Sequence, residues 1–294
     1  MSPRSRAFPR RLRWTALAAA LAAGPALAGG TLRVCADPDN LPYSNLGQEG
    51  YENKIAQVLA QDLHARVAYT WLKQRQSFFR QTLGADRCDV VISVPGGFER
   101  VRTTRPYYRS GYVVVSQRQR GLDFQSYDDP VLRGLKIGLH TVGNDGSNSP
   151  PAVALGRHGL ANNIFGFSLW GGASVKQPQG QIIEAVARGR IDMAIVWGPF
   201  GGYYAARYGD ALAVRPAPND AGMPGMPFAY DIAMGVRKDD QALAARLDAA
   251  IERRRDDIQR ILSAYHLPLI EPDLGPPGSP ADAAPAHPSN HEGK

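Results

Sequence analysis

Cysteine is almost absent from this sequence: 294 residues hold two, Cys35 and Cys88, and no Cys-x-x-Cys pair. That excludes a dithiol redox motif and a cysteine-built metal centre. Histidine is scarce as well. His64, His140, His158 and His266 stand apart, while His287 and His291 are four residues apart in a tail with no helical pattern, so none forms a ligand set. Long apolar runs are missing except for one near the N-terminus, Trp14 to Leu27, which is too short to span a bilayer. A large charge excess is missing too. The chain carries 34 Lys+Arg against 27 Asp+Glu, net +7, but five arginines (Arg4, Arg6, Arg10, Arg11 and Arg13) lie ahead of that apolar run. Setting them aside leaves 29 against 27, a net of +2, which gives no support to nucleic-acid binding.

What is present begins with an export signal. The arginine-rich head, the apolar run and Ala26-Leu27-Ala28 together predict a cleaved secretory signal over residues 1–28, an uncleaved anchor being the alternative. At the other end, residues 272–294 are rich in Pro, Ala, Gly, Ser and Asp and read as a disordered tail that cannot bury enough surface to order itself. Export places the two cysteines in an oxidising compartment, where such a pair bridges; two buried free thiols are the alternative. A bridge from Cys35 to Cys88 would contribute about 4 kcal/mol by constraining the unfolded chain.

Between these termini, 44% hydrophobic content supports two domains of ordinary size. Residues 31–36 form a short apolar run followed by a turn-rich stretch, Asp37 to Gly50. Ile55, Val58, Leu59 and Leu63 have helical spacing, Val67 to Leu72 alternates as a strand, and Ser77 to Leu83 reads as helix. Val90 to Val94 is a continuous apolar run, as a strand buried on both faces requires. Gly111 to Ser116 is a further strand, after which the pattern restarts. Lys136 to His140, Asn163 to Leu169 and Asp192 to Trp197 read as strands, while Gln181 to Ala187 and Tyr203 to Tyr208 read as helices. Ser149 and Pro150 form a cap and first position for another helix, and the polar loop Thr141 to Ser149 before it is a candidate anion-binding turn or a plain surface turn. Asp231 to Val236 is a returning strand, followed by a long helix with Leu243, Leu247, Ile251 and Ile258 on one stripe. The expected fold is α/β, two lobes joined by two crossover strands, an arrangement that resembles the type II periplasmic binding proteins. Lobe 1 would comprise 29–117 plus 227–271, and lobe 2 would comprise 118–226.

The order resembles that of amino-acid-binding members of this fold. The stretch Asp89 to Tyr107 is similar to the family segment whose arginine clamps a substrate carboxylate, which puts Arg100 in that role, with Arg105, Pro106 and Tyr107 ahead of the crossover strand. After Gly189-Arg-Ile-Asp192 and its strand, the family's ammonium-binding aspartate is replaced by Trp197, so an α-amino acid is a poor ligand. A narrower resemblance accounts for these departures. Leu32-Arg-Val-Cys-Ala-Asp-Pro-Asp-Asn-Leu-Pro-Tyr-Ser-Asn45, Glu52-Asn-Lys-Ile-Ala56, Trp71 with Arg75, Cys88-Asp-Val-Val91, Arg100 to Ser110, Val142 to Gly146, Glu184 to Gly189 and Val196-Trp-Gly-Pro199 are similar in order and spacing to the MoxJ/XoxJ family of quinoprotein-dehydrogenase-associated solute-binding-like proteins. That resemblance implies a periplasmic partner of a pyrroloquinoline-quinone-dependent alcohol or methanol dehydrogenase, active in its activation or maturation, with no cofactor of its own.

Arginines and large aromatics are dense around the expected cleft edge, and these types anchor interfaces. The candidate ligand- or partner-binding residues are Asp37, Asn40, Trp71, Arg75, Arg100, Arg105, Tyr107 and Trp197. For each, a packed core ring or a solvated charge is the plain alternative. Asp37, Asp39, Glu52, Glu99 and Asp145 have no His or Cys placed beside them, so no catalytic role is expected. The second functional reading is a receptor delivering a small anionic or polar solute to an ABC transporter. A large, open, apolar cleft would favour the dehydrogenase partner; a small, enclosed polar pocket would favour the receptor.

Overall fold

Strand alternation sorts the apolar runs onto two faces of one mixed sheet. In a computed structural model, which describes residues 30–141, 149–171 and 177–271, β1 (Gly30–Ala36) leads through a short hairpin, β2 (Asp39–Asn40) and β3 (Ser44–Asn45), into helix α1 (Tyr51–Asp62). Then follow β4 (Ala65–Trp71), the single turn α2 (Phe78–Gln81), β5 (Val90–Pro95), β6 (Arg102–Thr103) and the long β7 (Tyr108–Gln117). Next come β8 (Ile137–Thr141), α3 (Pro150–Arg157), β9 (Ile164–Ser168), α4 (Gln181–Ala187), β10 (Met193–Trp197), α5 (Gly198–Ala205) and β11 (Leu212–Pro216). The chain returns through β12 (Ala229–Val236) and closes with α6 (Gln241–Arg253) and α7 (Arg255–Ala264).

The strand order is β4-β1-β5-β12-β7-β10-β8-β9, with β11 beside β7 and β6 beside β12. β1 runs parallel to β4 and β5, β8 runs parallel to β9 and β10, and the crossing strands are antiparallel to their neighbours. β7 joins the two halves. Tyr108 to Gly111 pair with β12, whereas Tyr112 to Ser116 pair with β10, so the passage from one lobe to the other lies inside this strand.

In the first lobe Leu32, Val34, Val90, Ile92 and Met234 face α1, α6 and α7, while Cys35 and Val91 face Phe78, Leu83 and Val101. Side chains at odd and even positions serve opposite layers, so a strand covered on both sides shows no polar alternation. β10 repeats the device: Met193 and Ile195 join one cluster of the second lobe, Ala194 and Val196 the other. Cys35 and Cys88 form a disulfide with Cα atoms 5.4 Å apart.

Several elements differ from the sequence reading. The helix expected over Ser77 to Leu83 is one α-turn followed by a 3-10 turn at Leu83–Ala85. α5 begins at Gly198, five residues before the expected start, with Pro199 in its first turn. The C-terminal helix breaks at Arg254, whose φ of −106° is non-helical. Ser149 is the N-cap residue of α3 with Pro150 next, yet its side chain makes no capping hydrogen bond. The secretory segment, most of the Thr141–Ser149 loop and the tail lie outside the described residues.

Candidate functional site

The parallel strands of the first lobe deliver the loop after β1 to the seam between the lobes. Asp37 starts that loop and is 3% exposed. Its carboxylate accepts from the backbone N–H of Asp39 at 2.8 Å and of Gln74 at 2.7 Å. The Ser44 hydroxyl donates to the Asp37 carbonyl at 2.8 Å and closes the hairpin. Burial raises the Asp37 carboxyl above the usual carboxylate range, and the two N–H donors oppose that rise. Asn40 Nδ2 donates to Gln74 Oε1 at 3.3 Å. The loop is therefore held at both ends by the β4–α2 connection.

Its outer edge meets the second lobe. Gln179 Nε2 donates to the Asp39 carbonyl at 2.8 Å, and the Tyr204 hydroxyl donates to the Leu41 carbonyl at 3.0 Å. Tyr43 is wedged between Tyr51 (ring centroids 5.1 Å apart) and Phe200 (5.3 Å). Trp197, at the end of β10, packs on Tyr112 and Tyr230 at 5.5 and 5.9 Å. Tyr43 and Trp197 each contact the apolar cores of both lobes. Among the described residues, the seam is thus bridged by the chain's own hairpin and rings.

Two buried titratable groups flank this contact. His140 Nε2 lies 3.0 Å from the Gln179 carbonyl, an acceptor only, so that nitrogen carries the proton. Burial pushes the ring down to about 4, and it is neutral at pH 7. On the other side, Glu52 in the first turn of α1 is 3% exposed. Burial pushes its carboxyl up to about 8, opposed by the neighbouring Ser93 hydroxyl and assisted by Asp37. Its Oε1 has no hydrogen-bond partner among the described residues. Around it lies a buried phenol cluster, with Tyr51 and Tyr108 hydroxyls 3.0 Å apart and the Tyr107 hydroxyl donating to the Ile92 carbonyl at 2.9 Å.

The eight residues singled out from the sequence divide into three groups. Asp37, Asn40, Trp71, Arg75 and Trp197 gather along the seam. Trp71 stacks on Tyr69 at 4.5 Å, and the Arg75 guanidinium sits over the Trp170 ring at 5.7 Å, a cation–π contact between the lobes. Tyr107 is buried beneath the seam, 9% exposed, within the phenol cluster. Arg100 and Arg105 lie elsewhere. The short β5–β6 loop folds back along β12, so Arg102 pairs with Val236, and Arg100 lines a pocket with Lys238 at the end of the sheet opposite the seam. The Arg105 backbone N–H donates to Asp248 Oδ1 on α6 at 2.7 Å. An arginine clamp at Arg100 is therefore not part of this seam.

The sequence reading missed Tyr43, Gln179, His140, Phe200 and Tyr204 at the seam. A glycine signal was available for the last two. A Cβ on Gly202 would stand 1.9 Å from the His266 carbonyl, so α5 must carry glycine where it passes the C-terminal segment. Among the described residues no group of three or more His, Cys, Asp or Glu could hold a metal ion, and no helix is long and apolar enough to cross a membrane.

A mixed sheet shared by two α/β lobes, with a hairpin and aromatic rings meeting at their seam, defines the periplasmic-binding-protein class. The chain belongs to the bacterial extracellular solute-binding proteins, family 3, whose pattern matches residues 32–268, and within it to the MoxJ/XoxJ type. It is 33% identical over 253 residues to Protein MoxJ of Methylorubrum extorquens, covering 82% of each chain. The crystal structure of periplasmic binding protein XoxJ from Methylobacterium extorquens AM1 superposes with a TM-score of 0.66 at 32% identity, over 81% of this chain and 99% of that one. MxaJ from Methlophaga aminisulfidivorans MPT gives a TM-score of 0.71 at 28% identity, over 81% and 100%.

Proposed function

We propose that this protein serves in the periplasm as an accessory to a pyrroloquinoline-quinone-dependent methanol or alcohol dehydrogenase, assisting its activation or maturation by binding the enzyme along the seam. The observation that carries the reading is the occupied seam. Two-lobed binding proteins close around a small ligand by hinge motion. Here the β1–α1 hairpin, fixed by Gln179 and Tyr204, stands between the lobes. The similarity to MoxJ, XoxJ and MxaJ along most of the chain supports the same reading. Trp71 and the Arg75–Trp170 pair at the edge of the seam supply the aromatic and arginine anchors that protein partners use. The role so read is binding, without a chemical step of its own.

The test is a pull-down from periplasmic extract of the native organism with the mature protein as bait. Recovery of a large quinoprotein dehydrogenase subunit, lost with a Trp71→Ala/Arg75→Ala double variant, is the expected result. Recovery of a membrane permease instead, or a small metabolite that raises the melting temperature while no dehydrogenase is bound, would replace this reading with that of a transporter receptor.

A further inference from the structure

At the end of the first lobe opposite the seam, α2, the β5–β6 loop and the β12–α6 turn enclose an open pocket of about 390 Å³. Its position follows from register. The seam lies beyond the C-terminal ends of β1 and β5, whereas Val236, next to the pocket residues Arg237 and Lys238, pairs with Val90 at the start of β5. The floor is apolar, built from Phe79, Leu83 and Val101, with Phe79 braced on Phe98 at 5.2 Å.

The rim carries Arg80, Arg100 and Lys238, all exposed. Some arginines of this lobe are paired: Arg33 holds Asp86 and Asp89, and Arg253 and Arg254 hold Asp62. The three rim cations have no carboxylate within 4.0 Å among the described residues, although Asp239 also lines the pocket. Beneath them Arg237 is already committed, donating to the Cys88 carbonyl at 2.8 Å and to Asp89 Oδ1 at 2.8 Å. Arg237 thus ties the base of the pocket to the disulfide-bonded strands and leaves the rim charges to act outward.

Three unpaired cations around an apolar hollow form a surface that complements carboxylates flanking one large apolar side chain. Charge alone would need no hollow, and an apolar ligand alone would need no cations. We propose that this pocket docks an acidic protein segment carrying a single large apolar anchor between its carboxylates. The pocket reaches Gln76, next to Arg75 of the seam edge, but its lining contains neither Trp71 nor Arg75, so the two readings rest on different side chains.

The probe is a fluorescein-labelled peptide, Asp-Glu-Phe-Glu-Asp with both ends blocked, titrated against the mature protein by fluorescence anisotropy. Binding with a dissociation constant on the order of 100 μM at low salt is expected, weakening several-fold at about 0.15 M salt as exposed charges are screened. An Arg80→Glu/Arg100→Glu double variant should lose at least about tenfold in affinity, and Asp239→Asn should gain several-fold, because each changes one side of the charge match. Both sites are exposed, and an unchanged melting temperature would show that the fold is intact. A peptide with Ala in place of Phe should bind about tenfold more weakly. The Trp71→Ala/Arg75→Ala variant should bind the peptide as the parent does. The proposal fails if the charge-reversed protein binds equally, if the Ala peptide matches the Phe peptide, or if no saturation is reached at millimolar protein. It also fails if phosphatidylglycerol vesicles compete with the peptide at this rim and bind more tightly.

Discussion

The hydroxyl of Tyr204 donates to the carbonyl of Leu41 at 3.0 Å, across 163 residues of chain and from one lobe to the other. With the Gln179 bond to Asp39, it fastens the β1–α1 hairpin to the second lobe. A hydrogen bond of this kind contributes on the order of 1 kcal/mol, and more is lost when the buried partner stays unpaired. Tyr204→Phe and Gln179→Leu together should lower stability by about 2 to 4 kcal/mol in urea titration. They should also enlarge the radius of gyration in small-angle scattering. An unchanged radius with reduced stability would show that ring packing alone keeps the seam shut.

Glu52 makes stability depend on pH in a defined direction. Its carboxyl titrates at the ordinary 4.5 in the unfolded chain and at about 8 when buried, so the folded state holds more protons between these values. Stability therefore falls as pH rises through that window, by an amount on the order of 5 kcal/mol. His140 acts oppositely: its ring falls from 6.5 to about 4 on folding, so stability falls as pH drops from 6.5 towards 4. The two slopes offset each other between 4.5 and 6.5. Above that, Glu52 acts together with His158, whose ring is raised by its hydrogen bonds to Asp128 and Asp220 and so also loses stability as pH rises. Glu52→Gln should remove the Glu52 share of the loss between about pH 6.5 and pH 8 measured by chemical denaturation. An equal loss in the variant would assign the slope to another group.

One tight backbone approach near the seam is that of α5 to the C-terminal segment. Gly202 lies under the His266 carbonyl, and Tyr203 stacks on Tyr265 at 5.8 Å. Gly202→Val should cost about 3 kcal/mol or prevent folding, because backbone rather than a flexible side chain must yield. Gly209 has open space around its Cβ but a φ of +53°. Its ψ of −132° belongs to a region that essentially only glycine adopts. Gly209→Ala should therefore cost about 1 to 3 kcal/mol in a thermal melt through backbone strain alone, and a larger loss than at Gly202 would reverse this account.

The disulfide joins β1 to Cys88, just ahead of the neighbouring strand β5, across a sequence separation of 53. Cys35→Ser/Cys88→Ser should lower stability by about 4 kcal/mol if the bridge acts chiefly on the unfolded chain. Scattering should show the same overall dimensions, since Arg237 also holds the Cys88 carbonyl. A changed shape would mean that the bridge positions the strands in the folded protein as well.

Apolar runs along the chain specify much of the fold. Val90 to Val94 and Met193 to Val196 are buried on both faces, which abolishes alternation and marks each as an internal strand. The break at Arg254 and the early start of α5 were not legible. Periodicity reports which face is buried, whereas a helix end depends on the neighbours that receive it. Asp37, Asn40, Trp71, Arg75 and Trp197 were legible as seam residues because each lies at or just beyond the carboxyl end of a strand, where the chain leaves the sheet. Arg100 was not, because its direction depends on a loop that turns back along β12.

What the sequence determined by itself is local and compositional: two α/β lobes, the cysteine pair and the family. Only the tertiary structure decided what fills the seam. Gln179 and Asp39, or Tyr204 and Leu41, are polar groups distant along the chain, and no periodicity records which donor will find which acceptor. That choice is made when two cores close on the same rings, Tyr43 and Trp197, and the polar groups trapped between them bond to what lies within reach, with Gln179 Oε1 left without a partner among the described residues.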